Sequence, residues 1–140
     1  MERGKAVVVD ASIAVKWFNI EDLSDKADEL KSQHLRGEVT LNAPVLMVFE
    51  VANALRHNPD FGVQDVKDAI VDLLDLQISL RFPEREWMED AVQTAFNYAI
   101  SVYDACYLSL SRFLNVPAFT ADDKLIERTR DPTLKHISQL

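Results

Sequence analysis

The fold class is indicated by a short apolar run near the start of the sequence, Ala6-Val7-Val8-Val9-Asp10. Consecutive β-branched residues with no polar residue between them are typical of a strand that is buried on both faces. Such strands occur mostly in parallel sheets, because helices cover both faces of these sheets. We therefore expect a central parallel strand with the carboxylate of Asp10 at its end.

Helical and strand patterns alternate through the rest of the sequence. Apolar residues recur at helical spacing in several segments, and Gly37 supplies a stop for one of them. Pro44 and Pro83 are each expected to be the first residue of a helix, a position that proline favours. We expect helices at 11–18, 23–36, 44–57, 63–77, 83–98, 102–114 and after Asp122, and strands near 39–41, 78–82, 118–120 and 136–137.

This alternation predicts an α/β fold, specifically a three-layer α/β/α sandwich with a mostly parallel central sheet. The chain has 140 residues, of which 48% are hydrophobic, and this is enough apolar material for one core. No linker or internal repeat interrupts the pattern. We therefore expect a single domain over 1–140.

Composition excludes several classes of protein. The formal net charge of −8 argues against a broad basic face for nucleic acid or for an anionic membrane. Three glycines are too few for a phosphate-binding glycine loop, and the single Cys106 can form neither an intramolecular disulfide nor a cysteine zinc site. No apolar run is long enough to span a membrane, and Asp10 interrupts any signal peptide. These observations favour a cytoplasmic protein with Cys106 buried as a small apolar residue.

Acidic residues occur where the predicted strands and helices meet. Asp10 ends the first strand, Asp122 follows the strand at 118–120, and Asp104 lies near the start of a helix. Carboxyl ends of parallel strands lie at one edge of a sheet, where ligands bind. Carboxylates about 5 Å apart repel by roughly 3 kcal/mol at an effective dielectric near 20, so a cation is needed among them. Oxygen ligands alone favour Mg²⁺ or Mn²⁺ over Zn²⁺.

Glu50 is a carboxylate within an otherwise apolar helix and therefore needs a polar partner. Asn53 follows three residues later on the same helical face and is expected to hold it. Each carboxylate alone is more commonly solvated, and Asp122 alone is more commonly a helix cap.

Four short segments together resemble the motifs of PIN-domain ribonucleases, and in particular the toxin subunits of VapBC toxin–antitoxin systems. They read V-V-V-D-A-S at 7–12, E-V-A-N-A-L at 50–55, V-Y-D-A-C-Y-L at 102–108 and F-T-A-D at 119–122. The resemblance implies a parallel-sheet α/β/α fold, Mg²⁺- or Mn²⁺-dependent endoribonuclease activity, a dimer, and inhibition by a cognate antitoxin.

The resemblance also assigns roles to individual residues. The residues matching the catalytic, metal-binding acids are Asp10, Glu50, Asp104 and Asp122. The residues matching the polar side chains that support these acids are Ser12, Asn53 and Thr120. The motif match favours Asp122 over the adjacent Asp123 as the ligand, since neighbouring side chains on a helix point about 100° apart.

Partners are expected from scattered features. The candidates for binding RNA phosphates are Lys16, Arg56, His57 and Arg112, although each is equally consistent with a solvated charge. Apolar residues near Trp17 and Leu46 favour a homodimer, and a groove beside Trp17 and Phe18 could accept an antitoxin helix.

Other functions remain as alternatives. A Ser–His–Asp hydrolase is disfavoured because no histidine lies near Ser12, and a haloacid-dehalogenase phosphatase needs a second aspartate where Ser12 stands. A phospho-receiver domain needs a middle-strand aspartate and a late lysine that are not evident. An RNA-processing PIN nuclease without an antitoxin and a catalytically silent PIN-fold binding module stay open.

Overall fold

A computed structural model describes residues 5–140; residues 1–4, part of the segment that we expect not to be a signal peptide, lie outside it. Within the described residues one five-stranded sheet has the order β3-β2-β1-β4-β5, and every neighbouring pair is parallel. The strands are β1 (Lys5–Val9), β2 (Val39–Pro44), β3 (Ser79–Arg81), β4 (Ala118–Thr120) and β5 (Leu134–His136). The prediction of a mostly parallel α/β sheet is confirmed.

Helices connect the strands in the predicted alternation. They are α1 (Ala11–Ala14), α2 (Ser24–Leu35), α3 (Leu46–Arg56), α4 (Val63–Asp75), α5 (Arg85–Tyr98), α6 (Val102–Leu114) and α7 (Asp123–Thr129). Short 3₁₀ turns follow α1 at Val15–Trp17 and β5 at Ile137–Gln139. Gly37 has a φ of +76° just beyond α2, which is the left-handed conformation that glycine adopts without strain.

Two predicted helix starts are wrong, and both concern proline. Pro44 is the last residue of β2, where it lies opposite Arg81, and the following Val45 N–H donates to the carbonyl of Arg81 at 3.0 Å. Pro83 lies in the connection after β3, and α5 begins only at Arg85. The φ angle of proline suits a strand end or a loop as well as a first helical turn. Pairing with neighbouring strands therefore determines which of these structures each proline adopts.

The central strand is covered on both faces. Val8 and Val9 are both completely buried, and successive side chains of a strand point to opposite faces. Trp17 belongs to the same core, since it is 9% exposed and its indole N–H donates to the carbonyl of Ala27. Cys106 is a buried free cysteine, as expected. Within residues 5–140, no helix has both the length and the apolar character needed to cross a membrane.

The order of the strands creates a crevice beside β1. The chain adds β2 and β3 on one side of β1, then returns to add β4 and β5 on the other side. Connections therefore diverge above the carboxyl ends of β1 and β4, and open α/β sheets bind their ligands at such a switch point.

Candidate active site

Asp10 occupies this crevice directly after β1 and is only 7% exposed. The Ser12 hydroxyl donates to Oδ1 of Asp10 at 2.5 Å, and the Thr120 hydroxyl donates to Oδ2 at 2.5 Å. Burial raises the pKa of Asp10 to about 6 even though these hydrogen bonds lower it, and the charge of Asp104 raises it as well. The carboxylate is thus held by two hydroxyls, and no lysine, arginine or histidine among residues 5–140 forms an ion pair with it.

The two hydroxyls join the β1–α1 turn to the β4–α7 turn. Ser12 Oγ lies 3.3 Å from Thr120 Oγ1 and accepts a hydrogen bond from the Ala121 N–H at 2.9 Å. Thr120 Oγ1 accepts from the Asp122 N–H at 3.0 Å. The structure therefore brings Ser12 and Thr120, both singled out in the sequence, into one hydrogen-bonded network around Asp10.

Glu50 reaches the same region from α3. Its Oε1 accepts a hydrogen bond from the Tyr107 hydroxyl of α6 at 2.5 Å. Burial raises the pKa of Glu50, the Tyr107 hydrogen bond lowers it, and the charge of Asp104 raises it. Burial, followed by the Glu50 charge, raises the pKa of Tyr107, so the phenol stays protonated and acts as a donor.

Asp104 and Asp122 stand at the starts of α6 and α7. Ser101 caps α6 by accepting from the Asp104 N–H at 3.0 Å, and Asp122 caps α7 by accepting from the Leu125 N–H at 3.1 Å. Burial and then the charge of Asp122 raise the pKa of Asp104. The charge of Asp104 also raises the pKa of Asp10 and of Glu50, so Asp104 interacts electrostatically with each of the other three carboxylates.

Comparison with known proteins places this arrangement in a family. The sequence profile of the PIN domain matches residues 7–131. The chain belongs to the PIN domain family. It is 27% identical over 126 residues to Ribonuclease VapC3 of Pyrobaculum aerophilum, covering 87% of this chain and 93% of that one. The resemblance drawn from the four sequence motifs is confirmed.

Solved structures of low sequence identity share the PIN fold. VapC20 of Mycobacterium tuberculosis, a sarcin-ricin loop cleaving toxin, has a TM-score of 0.70 at 15% identity, covering 86% of this chain and 93% of that chain. VapBC2 of Rickettsia felis, bound to a DNA fragment from its promoter, has a TM-score of 0.67 at 12% identity, covering 94% of this chain and 98% of that chain. At these identities the likeness shows the fold.

One predicted supporting residue of this PIN domain is not in place. Asn53 is exposed, and within residues 5–140 no hydrogen bond joins it to Glu50. The donor is instead Tyr107, which sequence analysis did not single out. A usable signal was present, since Tyr107 follows Asp104 by three residues and so lies one helical turn further along the same face.

The basic candidates differ in their surroundings. Lys16 pairs with Glu21 at 3.0 Å, and Arg112 pairs with Asp131 at 2.9 Å near the far end of α6 from Asp104. Arg56 and His57 are exposed at the end of α3. Sequence analysis passed over Arg128, an exposed residue of α7 whose charge lowers the pKa of Asp104.

The donor chemistry of this PIN domain fits a hard divalent cation. Within residues 5–140, no three His, Cys, Asp or Glu side chains form a ready-made metal-binding cluster. No hydrogen bond from the described residues reaches Oε2 of Glu50 or Oδ2 of Asp122. Carboxylate oxygens without a hydrogen-bond donor are ligands of the kind that Mg²⁺ and Mn²⁺ prefer.

Proposed function

We propose that this PIN domain is a metal-dependent endoribonuclease that hydrolyses RNA phosphodiester bonds. The proposal is supported by four acidic side chains from separate parts of the chain: Asp104 influences or is influenced by the other three electrostatically, and none of the four forms an ion pair with lysine or arginine among residues 5–140. The proposed ligands of Mg²⁺ or Mn²⁺ are Asp10, Glu50, Asp104 and Asp122. Like charges at such a site are tolerated when a cation is bound among them.

The residues of this chain have separable tasks in that reaction. Ser12 and Thr120 fix the Asp10 carboxylate, and Tyr107 fixes one oxygen of Glu50. A bound divalent cation supplies Lewis-acid chemistry to the scissile phosphodiester and its attacking water. Hydrolysis of this kind leaves a 5′-phosphate and a 3′-hydroxyl.

Exposed arginines beside the acids are the proposed contacts to the RNA backbone. Arg56 ends α3, and Arg128 is close enough to Asp104 to influence its pKa. Lys16 and Arg112, also considered from the sequence, are engaged by carboxylates of the chain itself. Few phosphate contacts are needed because the cation offsets the negative charge of the cleft.

Cleavage of a structured RNA by the purified protein tests this proposal. We expect cleavage with Mg²⁺ or Mn²⁺, none with excess EDTA, and 5′-phosphate ends on the products. Asp10→Asn should cleave at least roughly 100-fold more slowly, because metal-assisted charge stabilisation is worth several kcal/mol. Equal cleavage in EDTA or by Asp10→Asn would contradict it, and no cleavage of any RNA would favour the silent binding module.

We also propose that the chain is the toxin of a toxin–antitoxin pair, as a cytoplasmic homodimer. Its similarity to Ribonuclease VapC3 and the fold it shares with the VapC20 and VapBC2 proteins support this role. An RNA-processing nuclease without an antitoxin is the alternative. Production of the chain should arrest growth, and a small protein encoded beside it should relieve the arrest.

Oligomeric state is tested separately. Light scattering should give twice the chain mass of 15.9 kDa, and a monomer at every concentration would contradict the dimer.

A further inference from the structure

Tyr107 combines deep burial with a contact to the acidic cleft. The residue is 2% exposed, and its hydroxyl on α6 donates to Oε1 of Glu50 on α3. The two residues are 57 positions apart in sequence. The contact therefore depends on tertiary packing and fixes the position of one helix's carboxylate relative to the other helix.

Filling the core does not by itself require this hydroxyl. Buried hydroxyls need an acceptor, and in this domain such acceptors are often backbone carbonyls, as for Ser109 with Trp87 and Ser111 with Val116. Tyr107 instead donates to a carboxylate of the proposed metal site. A phenylalanine would fill nearly the same volume without leaving a polar group to satisfy.

Glu50 depends on this single donor. Asp10 is short and receives hydrogen bonds from two hydroxyls, whereas the longer Glu50 side chain receives one hydrogen bond within residues 5–140. A half-exposed glutamate has several rotamers, and loss of its one partner frees them. The Tyr107 contact uses Oε1, and no hydrogen bond from residues 5–140 reaches Oε2.

We propose that Tyr107 is a positioning residue that holds the Glu50 carboxylate in the orientation in which the cleft binds its divalent cation. This inference rests on the proposed metal-dependent function. It assigns Tyr107 the supporting task that the sequence suggested for Asn53. Partners that orient metal ligands typically contribute about 10- to 100-fold to metal affinity or activity.

Titration calorimetry with Mn²⁺ alone, in the absence of RNA, tests the inference on the full chain. Tyr107→Phe should bind Mn²⁺ roughly 10- to 100-fold more weakly than the unsubstituted protein. Tyr103→Phe is the matched control, because Tyr103 lies on the same helix but is 62% exposed. Circular dichroism of each variant in EDTA shows whether the fold is retained.

A double-mutant cycle separates positioning from a general effect on the fold. In the Glu50→Gln background, Tyr107→Phe should have little further effect on Mn²⁺ affinity, because its partner carboxylate is already gone. Full additivity would overturn the inference, as would a Tyr107→Phe protein that binds Mn²⁺ normally while Glu50→Gln binds weakly. If the unsubstituted protein binds no Mn²⁺, the proposed metal-dependent function fails together with the inference.

Nuclear magnetic resonance of ring-labelled tyrosines gives a second readout that needs no substitution. Mg²⁺ should shift the Tyr107 signal, because binding of the cation to Glu50 changes the electron density of the carboxylate that accepts the phenol's hydrogen bond. Tyr98 is the reference, since its hydroxyl donates to Asp131 instead. An unshifted Tyr107 signal at saturating Mg²⁺ would contradict the inference.

Discussion

The two ends of α6 use the same kinds of side chain for different purposes. At the amino-terminal end, Asp104 faces other carboxylates, and Tyr107 donates to one of them. At the carboxyl-terminal end, Tyr98 donates to Asp131, but there Arg112 also pairs with Asp131 at 2.9 Å. A tyrosine and acidic side chains occur at both ends, but among residues 5–140 an arginine forms an ion pair with these acids only at the carboxyl-terminal end.

The pKa values of the carboxylates shift in opposite directions at the two ends of α6. Burial alone would raise the pKa of Asp131, yet hydrogen bonds from Thr133 and the charge of Arg112 lower it below its ordinary value. The pKa values of Asp10, Glu50 and Asp104 are instead raised. The arginine end thus has a charged partner for its carboxylate, whereas the acidic end is where we propose that an external cation binds.

The largest expected effect concerns RNA cleavage at the acidic end. Asp10→Asn and Asp122→Asn should each lower the cleavage rate by at least roughly 100-fold, since each removes a proposed cation ligand. Asparagine remains a good N-cap, so Asp122→Asn keeps the start of α7. Asp131→Asn is the control and should cleave at a near-normal rate. If folded Asp131→Asn protein cleaves RNA as slowly as Asp10→Asn and Asp122→Asn, the two ends of α6 do not differ in function.

The next effect is the pH dependence of stability without metal. Because the pKa of Asp10 is about 6 in the folded protein, the folded state keeps a proton that the unfolded chain releases at lower pH. Unsubstituted protein should therefore lose about 2 kcal/mol relative to Asp10→Asn as the pH rises from 4 to 7 in EDTA. Urea unfolding at both pH values measures this, and a pH-independent difference would show that Asp10 is solvated.

Removal of the cation at the other end should affect stability alone. Arg112→Met leaves Asp131 buried without its charged partner, which should lower the free energy of unfolding by about 1–3 kcal/mol. Arg85→Met is the matched control, because Arg85 is 89% exposed and its pair with Glu89 should contribute under about 1 kcal/mol. Urea unfolding measures the free energy of unfolding of both variants. Equal decreases would show that the Arg112–Asp131 pair has no special structural role.

The smallest expected effect concerns Asp123, adjacent to a proposed ligand. Its side chain is 84% exposed and lies 3.0 Å from His136 of β5. Asp123→Asn should therefore cleave RNA at a near-normal rate and change stability by under about 1 kcal/mol. If Asp123→Asn lowers the cleavage rate strongly in the same assay while Asp122→Asn does not, the fourth ligand is Asp123 and not Asp122.

The parallel sheet and the placement of Asp10 and Asp122 at one of its edges were predictable from the sequence. A buried run ending in Asp10 and a later strand followed by Asp122 must share one edge if the sheet is parallel. The conformations of Pro44 and Pro83 could not be predicted from the sequence, because proline suits strand ends and loops as well as helix starts.

Hydrogen-bond partners that lie on different helices were harder to predict than the positions of the helices in the sequence. Periodicity put Asn53 on the face of Glu50, but it does not say how far that face is covered or which neighbouring helix meets it. Tyr107 became identifiable only once α6 was packed against the sheet beside α3. Arg128 was missed for a similar reason, since one exposed arginine on a short helix carries no signal of its own.

The hydroxyl link between Ser12 and Thr120 also has a consequence for biosynthesis. It joins positions 108 residues apart, and β1 remains without its β4 neighbour until β4 has been made. Chains emerge from the ribosome amino terminus first, and closure of so long a loop comes late. A nascent chain that ends before Thr120 lacks a donor to Asp10 and the whole of Asp122, so the proposed site can be completed only after residues 120–122 have been made.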